Sequence, residues 1–293
     1  MAAFPTWFTQ RLTLRLALLC MALILASAVQ ASERGSAAGA SAATPLVIGE
    51  TFTLESTVLG ETRRITVYRP SAWNVPASDP LPVLYMPDGG IGEDFLHVAG
   101  LVQVLVGNGG MRPFLLVGIE NTERRRDMTG PTDVPEDRKI APRVGGSAAF
   151  RQFLRTELMP QVRQRYATTG ESAVIGESLA GLFVVETLLR EPDMFDTYIA
   201  LDPSLWWNRG QLANDAVALL TAHATQGRQL FVASSNEPDI ARASARLSAQ
   251  VSANVPGVRV HYVPMPAETH QTLYHPAALQ ALRTLFPPAS PAP

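Results

Sequence analysis

Residues 172–189 read SAVIGESLAGLFVVETLL. A short apolar run, Ala173-Val174-Ile175, passes through Gly-Glu-Ser-Leu-Ala-Gly into a segment of good helix formers. A serine held between small residues where a buried strand becomes a helix admits two readings. Either the turn only packs, or it raises a nucleophile out of the sheet. The second reading requires small residues two before and two after the serine, because the strained turn brings strand and helix backbone together. Gly176 and Ala180 stand at those positions around Ser178, and Gly181 follows. The bare string is weak; its place between strand and helix makes it informative.

The pattern on either side defines the sheet. Residues 51–57 and 63–70, with Gly60 between them, alternate as an antiparallel hairpin does. Apolar runs follow at 82–90, 113–120, 172–178, 197–203, 229–235 and 258–266. Each is followed by a helical pattern, near 148–166, 179–190, 212–223, 239–252 and 276–285 in the clearest cases. Near-continuous apolar strands alternating with helices predict a mostly parallel central sheet covered on both faces. The fold class is therefore α/β, with an antiparallel N-terminal hairpin. In 148–166, Phe150, Phe153, Leu154, Leu158, Val162 and Tyr166 share one face, and Ser147 is placed to cap the start. Residues 121–147 are charged and rich in Pro and Gly, and are expected as one long loop that borders a site.

The chain has 293 residues, enough for one large domain. Its first 31 carry Arg11 and Arg15, then LALLCMALILASAV, then Val29-Gln30-Ala31. This is the layout of a cleaved secretory signal peptide. The apolar core is shorter than the ~20 residues that a membrane span needs. Leu19 before Cys20 disfavours a lipoprotein. Domain expectations are thus 1–31 signal peptide, 32–45 flexible leader and 46–288 catalytic domain. Export places the chain in the periplasm or outside the cell. Cys20 is the only cysteine, so a mature chain has neither disulfides nor a thiolate nucleophile. Loss of Arg11 and Arg15 leaves 22 basic against 26 acidic residues, a charge of −4. That balance gives no reason to expect nucleic-acid binding, and no stable membrane association is expected after cleavage.

In an open α/β sheet the site gathers at the carboxyl ends of the strands. A serine there needs a base, and the base an orienting acid, in the chain order Ser, acid, His. His270 lies in the loop after the final strand, ahead of the helix that His275 begins. Glu237 and Asp239 follow the preceding strand; Glu237 is nearer the strand end, while Asp239 suits the cap of the next helix. His97, His223 and His261 read as residues of a helix, a helix end and a strand, and no His or carboxylate group has metal-ligand spacing. For the oxyanion, the N–H of Leu179 and that of Gly89 in MPDGG are the expected donors.

The segments VLYMPDGG, VGIENTERRRDMTGP, GGSAAFRQFLRTELMPQV, GESLAGLF, DPSLWW and ETHQTLYHPAAL together resemble the esterases of the α/β-hydrolase superfamily that include enterobactin-type siderophore esterases. The resemblance runs from about 51 to 286. It implies an α/β-hydrolase fold, Ser178 as nucleophile, His270 as base, and cofactor-free hydrolysis of a carboxylic ester through an acyl-enzyme. Small-molecule esters, siderophore-type or other, are the implied substrates. Acyl transfer and a non-catalytic exported binding protein are the competing readings. Two positions depart from the family: Ala180 stands where Gly is usual, and Asp202 where Ser is. Asp202 also follows a strand, so the acid is Glu237, Asp239, Asp202, or absent as in some members. Arg124, Arg125 and Arg126 on the long loop suit anionic oxygens, or form a mixed-charge surface with the acids around them. Trp206 and Trp207 either line an aromatic pocket or cover the sheet edge.

Overall fold

The protein is described by a computed structural model over residues 43–71, 75–223 and 225–288. The expected signal peptide and most of the leader lie outside those residues. Eight strands form one sheet in the order β1-β2-β4-β3-β5-β6-β7-β8. They are β1 Glu50–Ser56, β2 Glu61–Tyr68, β3 Leu81–Pro87, β4 Leu115–Ile119, β5 Thr168–Glu177, β6 Thr197–Leu201, β7 Arg228–Ser234 and β8 Val258–Pro264. β1 and β2 pair antiparallel from Glu50↔Val67 to Ser56↔Glu61, and β2 runs antiparallel to β4. Every other neighbouring pair is parallel. This is the α/β-hydrolase arrangement, and the apolar runs of the sequence are its strands. The described residues from Ile48 onward belong to one compact unit.

Successive residues of the parallel strands supply opposite faces, as the period of two requires. Val83, Tyr85 and Val174 enter one core with Phe150, Phe153, Leu182 and Phe183. Leu84, Met86, Ala173 and Ile175 enter the other with Phe95, Val98, Leu282 and Phe286. Each fully buried Leu, Val, Ile or Phe contributes roughly 1.5–3 kcal/mol relative to an exposed side chain, so these strands are fixed in register by both faces.

The helical stretch expected over 148–166 has internal detail. Ser147–Phe153 is α-helical, Leu154–Leu158 is a π-turn and Met159–Arg165 resumes the α-helix. Pro160 lacks an N–H and its ring crowds the carbonyl of Thr156, so a widened turn relieves the clash. Ser147 is not the cap: Gly146 holds that position, and the buried Ser147 Oγ has no partner. The 121–147 segment is not one structureless loop either. It contains the short helices Arg124–Asp127 and Pro135–Arg138, and Asp127, Met128, Thr129 and Gly130 are buried. The 212–223 helix divides into Gln211–Asn214 and Ala216–Thr221.

Candidate active site

Three residues without the freedom of glycine take positive φ at neighbouring strand ends: Asp88 after β3 (58°), Ser178 after β5 (59°) and Asp202 after β6 (45°). Such backbone is uncommon outside glycine, and it clusters at sites where the surroundings over-determine it. For Ser178 the surroundings are visible. The helix Leu179–Arg190 starts directly after it, and a Cβ at Gly176 would meet the Ala180 carbonyl carbon and oxygen at 2.7 Å. A Cβ at Gly181 would meet Leu201 O and Pro203 Cα at 3.1 Å. The small residues of GESLAG therefore permit the sharp turn, and Ala180, fully buried, meets that requirement as well as glycine.

His270 lies between the serine and an aspartate. Its Nε2 is 3.0 Å from Ser178 Oγ, and its Nδ1 is 2.6 Å from Asp202 Oδ2. Asp202 is buried and held from a second side by the residue after β7: Ser235 N–H donates to Oδ1 at 2.6 Å and Ser235 Oγ to Oδ2 at 2.7 Å. Burial alone would raise the Asp202 carboxyl; the hydrogen bonds from His270 and Ser235 outweigh it and hold the carboxyl below its usual value. The Asp202 bond in turn raises His270 above the ordinary imidazole value, against the opposing effect of burial, with Glu177 adding to the rise.

The structure brings Asp202, rather than the preferred Glu237, to His270 Nδ1. Glu237 is exposed at the residue that precedes the helix Pro238–Asn254, and its side chain makes no capping bond. Proline at 238 starts that helix immediately, so Glu237 is turned out while Asp202 reaches His270. Asp239 pairs with Arg242 on the surface of the same helix. Asp202, one of the alternatives the sequence leaves open, sits on His270 Nδ1.

The oxyanion donors divide in the same way. Leu179 begins its helix, where an N–H has no intrahelical acceptor. Gly89 does not offer its N–H, which donates to Ile119 O at 2.9 Å. The glycine is there for close approach, since a Cβ would stand 2.3 Å from Gly118 Cα and Ile119 N. The N–H of Gly90 donates to Glu93 Oε2 at 2.7 Å.

Of the three arginines only Arg124 belongs to the site, and it forms a bidentate pair with Asp88 at 2.7 and 2.8 Å. Arg125 donates to Ile140 O, and Arg126 binds Glu61 at 2.7 Å and Asp127 at 2.6 Å. Arg126 and its partners also surround the buried Arg63, so this part of the loop anchors the fold. Trp207 is core: it is 4% exposed and its Nε1 donates to Gly130 O at 3.0 Å. Trp206 stays 42% exposed beside it. A cleft of about 500 Å³ borders Gly130, Leu182, Glu186 and Trp207 but touches none of Ser178, His270 and Asp202. His97 Nε2 and His275 Nδ1 lie 2.9 Å apart, which occupies both histidines with each other.

Two neighbours of Ser178 were not singled out in the sequence. Ser204 Oγ is buried 3.4 Å from Ser178 Oγ. Glu177 Oε1 is 3.4 Å from His270 Nε2, and burial above all pushes its carboxyl up to about 7. An acid directly before Ser178, at the end of the buried run 173–176, is the signal for it.

Residues 56–263, more than half of the chain, match the family model described as "Putative esterase". The chain is 30% identical over 257 residues to the ferri-bacillibactin esterase of Bacillus subtilis, covering 78% of this chain and 86% of that protein. It is 32% identical over 196 residues to the siderophore triacetylfusarinine C esterase of Aspergillus fumigatus, covering 60% of this chain and 62% of that one. Among solved structures, an IroE-like serine hydrolase from Shewanella oneidensis superposes with a TM-score of 0.71 at 27% identity, over 81% of this chain and 80% of that one. The resemblance read from the motifs is therefore a family membership: this chain belongs to that esterase family and is an ester hydrolase of α/β-hydrolase fold.

Proposed function

We propose that the protein is a serine esterase that works through an acyl-enzyme on Ser178. The observation that carries this reading is the continuous relay from Ser178 Oγ to His270 Nε2 at 3.0 Å and from His270 Nδ1 to Asp202 Oδ2 at 2.6 Å. In the resting enzyme His270 Nδ1–H donates to Asp202, so the free lone pair of Nε2 faces the serine. Ser178 Oγ attacks the ester carbonyl while its proton passes to Nε2. The imidazolium formed is stabilised by Asp202, whose charge Ser235 keeps in place. Leu179 N–H is positioned to meet the oxyanion as it forms. Nε2 then returns the proton to the departing alcohol, leaving an ester between Ser178 and the acyl group. Water enters, gives a proton to Nε2 and adds to that ester; the acid leaves and Ser178 recovers its proton.

The substrates on this reading are small-molecule esters, with siderophore-type esters among them because two relatives are named for such compounds. We also place the mature protein outside the cytoplasm, on the strength of the signal-like residues 1–31. Ser178→Ala removes the nucleophile without adding bulk. It is expected to abolish hydrolysis of a short-chain p-nitrophenyl ester while the thermal melt stays within about 2 °C, under 1 kcal/mol for a domain this size. Retained turnover would refute the assignment.

A further inference from the structure

The relay leaves one carboxylate at the reacting atoms without a role. Glu177 precedes Ser178, its side chain is only 16% exposed, and its one ion-pair contact among the described residues is His270 Nε2 at 3.4 Å. That nitrogen also faces the nucleophile at 3.0 Å. A carboxylate is expensive to bury without its own cation, and here the neighbouring donors are committed elsewhere. Arg124 is held bidentate by Asp88 at the end of β3. His270 is held by the buried Asp202 at the end of β6. With Arg124 matched by Asp88 and His270 neutral in its role as base, Glu177 remains as uncompensated negative charge beside the scissile position. Glu177 and Asp94 both favour the charged form of Arg124 and the neutral form of the buried Tyr274 hydroxyl.

We propose that Glu177 is a specificity-determining residue, and that the site selects esters carrying an ammonium or guanidinium group near the scissile bond over anionic esters of the same shape. The missing counter-ion comes with the substrate. This inference rests on the serine-esterase reading and names the substrate class for it. Of Arg124, Arg125 and Arg126, the one at the site is Arg124, and Asp88 already holds it. Glu177 is pushed up to about 7, by burial first and then by Asp202 and Asp88, against His270 and Arg124. It is therefore ionised above that pH and neutral below it, so the preference strengthens as pH rises through about 7.

The test uses three butyryl thioesters whose leaving thiols carry a trimethylammonium group, its neutral tert-butyl isostere or a sulfonate, with kcat/KM measured across pH. Comparing esters within one enzyme at one pH cancels any change in the relay itself, because all three need the same neutral His270. In the wild-type protein the cationic ester is expected to exceed the anionic one by about tenfold at alkaline pH, the scale of one partly screened charge, and by less at acid pH. Glu177→Gln collapses the ratio to within about threefold at every pH, and Glu177→Asp restores part of it; a residue that only positions His270 would change all three rates together. If Glu177→Gln does not fold, the pH dependence of the wild-type ratio still decides. Hydrolysis of the neutral ester with no charge ordering, or an ordering unchanged in Glu177→Gln, overturns this inference and leaves the esterase reading intact. No hydrolysis of any of the three, the neutral one included, overturns both.

Discussion

Replacing Asp202 by asparagine changes the relay with little change in shape. The carboxylate accepts three hydrogen bonds: Ser235 N–H on Oδ1, and Ser235 Oγ–H and His270 Nδ1–H on Oδ2. An amide can keep the Ser235 N–H bond only if its oxygen takes the Oδ1 position. Its NH2 then faces His270, Nδ1 must accept, and the imidazole proton moves to Nε2. The base now points a proton at Ser178 Oγ, 3.0 Å away, and cannot take another. Loss of the correct tautomer in a triad costs about 10⁴ in kcat, equivalent to roughly 5.5 kcal/mol of transition-state stabilisation. The folded state loses only one strong hydrogen bond, about 1 kcal/mol net, so urea unfolding should shift little. Saturating hydrolysis of a p-nitrophenyl butyrate-type ester, with Glu237→Gln alongside, makes the comparison. Asp202→Asn should fall by roughly four orders of magnitude while Glu237→Gln stays within about threefold, since Glu237 is exposed and bonds nothing in the relay. A loss of less than about tenfold in Asp202→Asn, or an equal loss in Glu237→Gln, would refute the reasoning.

Other consequences are as specific. Asp202 raises His270 above 6.5 by favouring its charged form, and only neutral His270 is a base; kcat/KM should therefore climb with pH through a limb above 6.5, and that limb should move to lower pH in Asp202→Asn. Gly89→Ala would set a Cβ 2.3 Å from the backbone of Gly118 and Ile119, which must part the ends of β3 and β4; differential scanning calorimetry should show a loss of about 3 kcal/mol or more, at the upper end of overpacking costs. Asp127→Ala leaves the buried guanidinium of Arg63 short of a partner; a stability loss of about 3 kcal/mol and a Tm lower by roughly 10 °C are expected, with kcat unchanged below the melt.

What the sequence could show follows from the range of each interaction. Strand and helix identity are set by local periodicity, so β3 to β8 and the antiparallel hairpin were legible, as was Ser178 in its turn between β5 and a helix. His270 was legible because the loop after the last strand contains one histidine ahead of the helix. Which carboxylate reaches His270 was not, because Glu237 and Asp202 both follow a strand at acceptable spacing. The choice depends on facts visible only in three dimensions: the positive φ of Asp202, and the Ser235 donors brought beside it by the pairing of β6 with β7. Gly89 was misread for a related reason. A glycine at a strand end can serve a ligand or a neighbouring strand, and only the 2.3 Å approach of β4 separates the two. For Arg126 and Trp207 the sequence leaves a substrate contact and a structural role both open; the partners that decide for the second, Glu61 and Gly130 O, come from distant parts of the chain.

The central claim is that Ser178 is an activated nucleophile, and reaction of the folded protein with a fluorophosphonate, mapped by peptide mass spectrometry, tests it most directly. A single adduct on Ser178, lost on heat denaturation and strongly slowed in His270→Ala, is the predicted result. An adduct on another residue, or none on the folded protein, would contradict it and leave residues 176–181 as a turn that serves packing alone.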